Sequence, residues 1–435
     1  MKSSTLKPIL IISYFFPPCS LTASQRVFSW AKWLHKFGYY PVIVTRKWET
    51  KLKTLKDVSL PSSDGIEHVK NEHYEVYYLP YKGNLRDRIY QKYGESKYSK
   101  IRQALTFLEL FFQYFSNVAI PYSNIYSFSK KLIQKERFSH LIISGNPFNT
   151  FKFGYLLHKT FGIPWTADYR DAWSTSEIND HTSSLFRRII HSLDRKFEKK
   201  WVSTAHSVTA SSGPIGKSIE KLTGVKSAPL FNGIAFEDFN VVKDDSKLED
   251  FTITYIGTLY DGQKIELFCS AFKKLIDQHT DIKTKLLFPG LAFFGEQESR
   301  IKKIMEGYED YFECSDRIPR EDILTLEKRA HLLLHVAWQG YKGIIASKIY
   351  EYIASGTKII VAPSDNGAIE DIVNSSGCGC VLSDEEDLVK FLETEYTKYK
   401  EGIAESNDIS TDRIQAFSRE RQVENLVTIL ESKMV

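Results

Sequence analysis

Short unbroken apolar runs, each closed by a turn residue, recur along the chain and alternate with stretches of helical period. Pro8-Ile-Leu-Ile-Ile-Ser13 opens the series, followed by Pro41-Val-Ile-Val-Thr45, His140-Leu-Ile-Ile-Ser144 and Pro164-Trp-Thr-Ala167. Consecutive apolar positions leave no wet face, so such runs read as strands buried on both sides. Phe251-Thr-Ile-Thr-Tyr-Ile256, Lys285-Leu-Leu-Phe288, Leu332-Leu-Leu-His-Val336, Lys358-Ile-Ile-Val-Ala362 and Gly377-Cys-Gly-Cys-Val381 continue the pattern in the second half. Between the runs, helical spacing predicts helices over Ser24–Phe37, stopped by Gly38, over Phe186–Trp201, and after Ser347, stopped by Gly356. A last helix is predicted from about Thr411 to Ser432. Strand, loop, helix, strand is the signature of a doubly wound α/β sheet, in which ligands sit beyond the carboxyl ends of the strands.

A chain of 435 residues accommodates two domains of ordinary size. The polar run Lys243-Asp-Asp-Ser-Lys-Leu-Glu-Asp250 favours a boundary nearby. The expected division is residues 1–230, then 231–410, then a terminal helix over 411–435. A lysine- and aromatic-rich helical insert falls at about 84–137 in the first domain.

Hydrophobic content of 42% and charged content of 26% are those of a globular protein. No apolar run reaches the roughly 18–20 residues of a membrane span, and no small-residue cleavage site follows the first strand. The five cysteines, Cys19, Cys269, Cys314, Cys378 and Cys380, have neither zinc spacing nor an even count. These features lead us to expect a cytoplasmic protein. The net charge of +4 conceals an asymmetry: residues 1–230 carry a net +17 and the remainder −13. The basic half would suit an anionic membrane at the inner face of the plasma membrane, or a phosphate-bearing acceptor. No nucleic-acid motif accompanies the charge, so nucleic acid is not an expected partner. Within the insert, Ala104–Phe115 reads either as a helix lying in a membrane interface or as one packed on the domain core.

Two stretches carry candidate chemistry. Gly343-Ile-Ile-Ala-Ser-Lys-Ile-Tyr-Glu-Tyr-Ile-Ala-Ser-Gly356 ends a loop at Ser347, a good N-cap, and starts a short helix. Free amides at Ile345, Ala346 and Ser347, with the charge of Lys348, form an anion site; Glu351, one turn on, could accept hydrogen bonds from two adjacent hydroxyls. Phosphate beside a diol describes a sugar nucleotide. Asp168-Tyr-Arg-Asp-Ala-Trp173 crowds Asp168, Arg170 and Asp171 at a strand end, which fits a site that handles charge and protons or, equally, a structural Arg–Asp pair.

The first stretch resembles the C-terminal-domain signature of family 4-like GT-B glycosyltransferases, many of which carry two glutamates eight positions apart there. Glu351 matches the second, and Gly343 stands where the first would be. Tyr14-Phe-Phe-Pro-Pro18 before Arg26, the Asp168–Trp173 element, Asn232-Gly-Ile234 with Phe239, and Gly257-Thr258 extend the resemblance along the chain. It implies two Rossmann-like domains facing a cleft, with a C-terminal helix crossing back to the first. It further implies a retaining transferase whose donor, a nucleoside-diphosphate sugar, is held by Glu351 at the ribose and by Gly257, Thr258, Lys264, Ser347 and Lys348 at the diphosphate. Ser20 and Arg26 fall on the acceptor side, Asp171 is first choice and Asp168 second choice for orienting or deprotonating an acceptor hydroxyl, and Arg170 holds that geometry. No metal or other cofactor is expected. The acceptor would be a glycan or a lipid-diphosphate-linked glycan of bacterial surface-polysaccharide assembly. A sugar-nucleotide 2-epimerase on the same fold and a non-catalytic sugar-nucleotide-binding subunit are the competing readings.

Overall fold

The computed structural model describes residues 6–48, 55–178, 184–292, 295–403 and 411–432. The chain forms two units, one of residues up to Asn232 together with those from Gln422 onward, the other Gly233–Arg421.

The first unit is built on an eight-stranded sheet. Its strands are β1 (Lys7–Ser13), β2 (Tyr39–Arg46), β3 (Glu67–Lys70), β4 (Glu75–Leu79), β5 (His140–Ser144), β6 (Trp165–Tyr169), β7 (Ser207–Ala210) and β8 (Ser227–Pro229). They lie in the order β3-β4-β2-β1-β5-β6-β7-β8, parallel except that β3 runs against β4. The apolar runs account for this order: Ile9–Ile12 and Leu141–Ile143 are fully buried, so β1 and β5 take the centre. Glu67, His68 and Lys70 make β3 an exposed, charged edge that resists further strand pairing.

The helices between its strands are α1 (Thr22–Trp33), α2 (Leu85–Tyr93), α3 (Ser99–Phe112), α4 (Ser123–Lys135), α5 (Phe151–Phe161), α6 (Leu185–Val202) and α7 (Gly213–Thr223). The stretch expected as one helix over 24–37 is α1 followed by a 3₁₀ turn, Leu34–Phe37, which Gly38 closes in the left-handed conformation. In the insert, α4 buries Ile125, Leu132 and Ile133, whereas no residue of α3 is buried.

The second unit holds six parallel strands: β9 (Phe251–Thr254), β10 (Thr284–Pro289), β11 (Phe312–Ser315), β12 (Leu332–His335), β13 (Lys358–Val361) and β14 (Gly379–Val381). Their order is β11-β10-β9-β12-β13-β14. Counted within the unit this is 3-2-1-4-5-6, so the winding reverses between β9 and β12. The helices are α8 (Glu266–Asp277), α9 (Gly295–Ile304), α10 (Arg320–Arg329), α11 (Lys348–Ser355), α12 (Ala368–Ser376), α13 (Glu385–Lys400) and α14 (Thr411–Gln415). The predicted last helix is therefore in two pieces, α14 and α15 (Arg419–Glu431), separated where Ser418 bridges to Ile234. Val423, Leu426, Val427 and Leu430 of α15 complete the first unit's core against Ile9, Val27 and Trp30.

Candidate functional site

The second unit's site follows from its topology. The two loops at the winding reversal, after β9 and after β12, are stitched together side chain by side chain. Gln263 Nε2 donates to the Val336 carbonyl at 2.5 Å, and the Tyr260 ring packs on Trp338 at 5.4 Å. Gly257 sits at φ +120°, where a side chain is strained, and a Cβ there would lie 3.0 Å from Lys348 Cε and 3.1 Å from Cδ. The lysine stem thus runs across the bare backbone of the first turn. The Ile256 amide donates to Tyr352 Oη at 2.9 Å, fixing α11 against the same turn. Gly257, Lys348 and α11, separated in sequence, form one corner.

Ser347 is in helical conformation and its hydroxyl makes no capping bond, contrary to its expected role. The helix opens with tight turns instead, Ile349 N to the Ala346 carbonyl and Tyr350 N to that of Ser347. The amides of Ile345, Ala346, Ser347 and Lys348 are all without a protein partner among the described residues. Ile345 lies in the preceding loop, and the carbonyl of Ala346 is used within the turn. Thr258 contributes its carbonyl to Tyr255 Oη at 3.0 Å. Lys264 is exposed, and no polar contact among the described residues brings it to this corner. Gly343 is half-buried in the loop, so nothing at that position replaces a carboxylate.

Glu351 is one-quarter exposed and receives Arg320 Nη1 on Oε1 at 3.2 Å; the same guanidinium holds Asp238 at 2.7 Å through Nη2. One carboxylate oxygen of Glu351 is thus anchored and oriented by a residue the sequence left unmarked. Below it, the Glu327 carboxyl on α10 is fully buried with neither oxygen hydrogen-bonded. Burial first, and the charge of Glu351 second, push its pKa up to about 8. Burial drives the Lys348 ammonium below its ordinary range, opposed by the charges of Glu351 and Glu327. Lys348 forms no ion pair among the described residues, so a desolvated cation stands beside free amides, an arrangement that favours an incoming anion. Nothing local in the sequence signals that Arg320 and Glu327 converge on α11.

In the first unit, Asp168 forms the structural Arg–Asp pair that the sequence also allowed, with Arg26 as its partner. It is wholly buried at the end of β6 and accepts from Arg26 Nη2 at 2.6 Å, Arg26 Nε at 3.1 Å, Ser144 Oγ at 3.0 Å and Thr209 Oγ1 at 2.7 Å. Arg26 is buried too, and its Nη1 donates to the carbonyls of Leu230 at 2.7 Å and Phe231 at 3.1 Å. Every guanidinium nitrogen is engaged within the protein. The pair ties α1, β5, β6, β7 and the segment after β8 together, so both side chains, expected at the catalytic and acceptor sides, are taken up within the protein. Arg170 donates through Nε and Nη2 to Oδ2 of Asp171 at 3.2 and 3.1 Å, and the Asp171 side chain is 58% exposed. Ser20 is exposed in the loop after β1.

The loop behind Asp171 is anchored from below. Trp173 stacks on Phe148 at 5.5 Å and Trp201 at 6.0 Å. Glu198 of α6, fully buried, accepts from Tyr169 Oη and the Ser174 amide, each at 3.0 Å. Its signal in the sequence is slight: a lone carboxylate on the helix face of Trp201 and Val202. Burial pushes its carboxyl up to about 7 against the pull of those hydrogen bonds. The folded state therefore holds this proton more tightly than the unfolded chain. The resulting stability is complete below the ordinary carboxylate range and is lost as the pH rises through about 7. Exchange protection of the Ser174 amide is expected to fall between about pH 5 and pH 8, and Glu198→Gln to remove that dependence. A profile unchanged by the substitution would assign the effect elsewhere.

No group of His, Cys, Asp or Glu among the described residues is placed to hold a metal ion, and no helix among them is long and apolar enough to cross a membrane. No protein-family model matches the chain, and no curated protein matches its sequence. Solved structures do match in fold. A glycosyltransferase from Rickettsia africae ESF-5 superposes with a TM-score of 0.63 at 12% identity, covering 99% of both chains. Sucrose-phosphate synthase from Thermosynechococcus elongatus gives 0.61 at 13% identity over 97% of this chain and 98% of that one. Anabaena HepE in complex with UDP gives 0.58 at 11% identity over 98% and 99%. The fold, two units each on a parallel sheet, is GT-B.

Proposed function

We propose that the chain is a retaining, family 4-like glycosyltransferase that binds a nucleoside-diphosphate sugar on its second unit and passes the sugar to a glycan or lipid-linked glycan. The observation that carries this reading is the corner where Lys348 crosses Gly257 beside Glu351, at the winding reversal. Transfer requires stabilisation of the charge that develops on the departing diphosphate. Lys348 and the amides of Ser347 and Lys348 supply it without a metal. Glu351, oriented by Arg320, has an oxygen left for the ribose hydroxyls. On the first unit, Asp171, held by Arg170, orients or deprotonates the acceptor hydroxyl. The fold neighbours, a sucrose-phosphate synthase and a protein crystallised with UDP among them, support a nucleotide-sugar donor. The net charge of +17 over residues 1–230 supports work at the inner face of the plasma membrane, in assembly of a bacterial surface polysaccharide.

A melting screen against UDP-, GDP-, dTDP- and CMP-sugars tests the donor. A ligand at one hundred times its dissociation constant adds about 2.7 kcal/mol, a rise of about 5–10 °C in a unit of this size. Glu351→Gln is expected to weaken the responding nucleotide about tenfold or more, since charge-assisted bonds contribute about 1.5–3 kcal/mol. Unchanged affinity by calorimetry would take Glu351 out of the site. An epimer formed with no acceptor present would favour the epimerase reading, and binding without any release of nucleoside diphosphate would favour a non-catalytic subunit.

A further inference from the structure

Helix α3 is rich in large apolar side chains yet buries none of them. Ile101, Leu108 and Phe112 recur on one exposed face at helical spacing, and Phe115 and Val118, 60% and 91% exposed, extend it past the helix end. The helix is held to the unit by its other side, where the Phe107 and Phe186 rings meet at 4.6 Å. That contact sets α3 beside the start of α6, whose Leu185 is 72% exposed and whose Ile189 is also exposed. Patches of this kind on a globular surface mark a docking face.

The same stripe of α6 changes character along its length. One helical repeat after another, Leu185 and Ile189 give way to Ser192, Lys196 and Lys199. There Arg195, Lys196 and Lys199 with Lys221 of α7 line an open pocket of about 340 Å³ that contains no acidic side chain. None of these four cations forms an ion pair among the described residues. An apolar face joined to unneutralised cations matches a surface that is anionic at its skin and apolar beneath. A second copy of this chain is the poorer occupant, because a two-fold contact through this face would set like charges opposite one another.

We propose that the α3–α6 face is the membrane-docking surface of the protein, with Leu108, Phe112 and Phe115 entering the interface of an anionic bilayer and the α6–α7 pocket receiving a lipid phosphate. This inference rests on the proposed membrane location and names the face that produces it. Co-sedimentation with phosphatidylcholine vesicles, with and without one-third phosphatidylglycerol, tests it. The wild type should pellet with the anionic vesicles and release as salt rises. Leu108→Asp with Phe112→Asp, and separately Lys196→Glu with Lys199→Glu, should each lower binding about tenfold or more. Lys130→Glu with Lys131→Glu makes the same charge change on α4 and should alter binding by no more than about twofold. These positions are exposed, except Lys130, which is half-buried, and melting temperature and nucleotide affinity should not move. Equal losses from the α4 and α6 pairs would leave a general charge attraction and overturn this face. No binding to anionic vesicles would overturn the face and the membrane location together, while leaving the donor site intact. A dimer in solution that Phe112→Asp dissolves would give the face to a second copy.

Discussion

Replacing Asp168 by alanine is expected to destabilise the first unit by about 3–5 kcal/mol, the cost of stranding one partner of a buried ion pair. Arg26 would keep its carbonyl contacts to Leu230 and Phe231 but lose the carboxylate that neutralises it, and Ser144 and Thr209 would lose their acceptor. Urea unfolding followed by the fluorescence of the buried Trp30 and Trp165 would report the shift. The double substitution Arg26→Met with Asp168→Leu should recover much of it, because an apolar pair of similar volume replaces the charges together. Asp171→Asn is the contrasting case. With its side chain in solvent, it should leave the midpoint unchanged and, in the proposed role, lower turnover by about 10²–10⁴. An Asp168→Ala protein with a wild-type midpoint and no turnover would restore Asp168 to catalysis.

The second large effect is expected from Lys348→Met. Methionine keeps a flexible stem to lie across Gly257 and removes the cation that stands at the start of α11. Loss of a single preorganised charge-stabilising donor typically lowers turnover about 10²–10³-fold, and affinity for a nucleoside diphosphate should fall by about 2–4 kcal/mol. Stability should hold or rise slightly, since the ammonium is desolvated without an ion pair and the apolar replacement avoids that cost. Gly257→Ala approaches the corner from the other side. A methyl 3.0 Å from Lys348 Cε, on a backbone at φ +120°, forces the lysine aside and should reproduce part of the binding loss with its charge intact. Full nucleotide affinity in Lys348→Met, measured by calorimetry, would move the diphosphate site away from α11.

Much of the fold was readable from local pattern. The unbroken apolar runs at Ile9–Ile12, Leu141–Ile143 and Ile359–Val361 became buried interior strands because a residue flanked by apolar neighbours has no wet side to turn to. Gly38 and Gly356 stopped their helices because the left-handed conformation admits glycine at no steric cost. That Gly257, Lys348 and Glu351 come together at one corner was readable because each lies in a loop or first turn after a strand, and the winding reversal gathers those loops.

Which polar groups are consumed inside the protein and which remain for a ligand was decided only in three dimensions. Asp168 and Asp171 look alike in the sequence, three positions apart at one strand end. The partner that claims Asp168 lies 142 positions away, and no local spacing encodes it. The same holds for Arg320 on Glu351, for Glu327 beneath α11, and for Glu198 under the Asp171 loop. The apolar side chains of α3 are equally compatible with a core and with a surface, and the choice fell to whether another element arrived to cover them. Periodicity and turn chemistry are set by nearest neighbours along the chain. Burial and charge pairing are set by neighbours in space, and a side chain's reactivity is what those neighbours leave unspent.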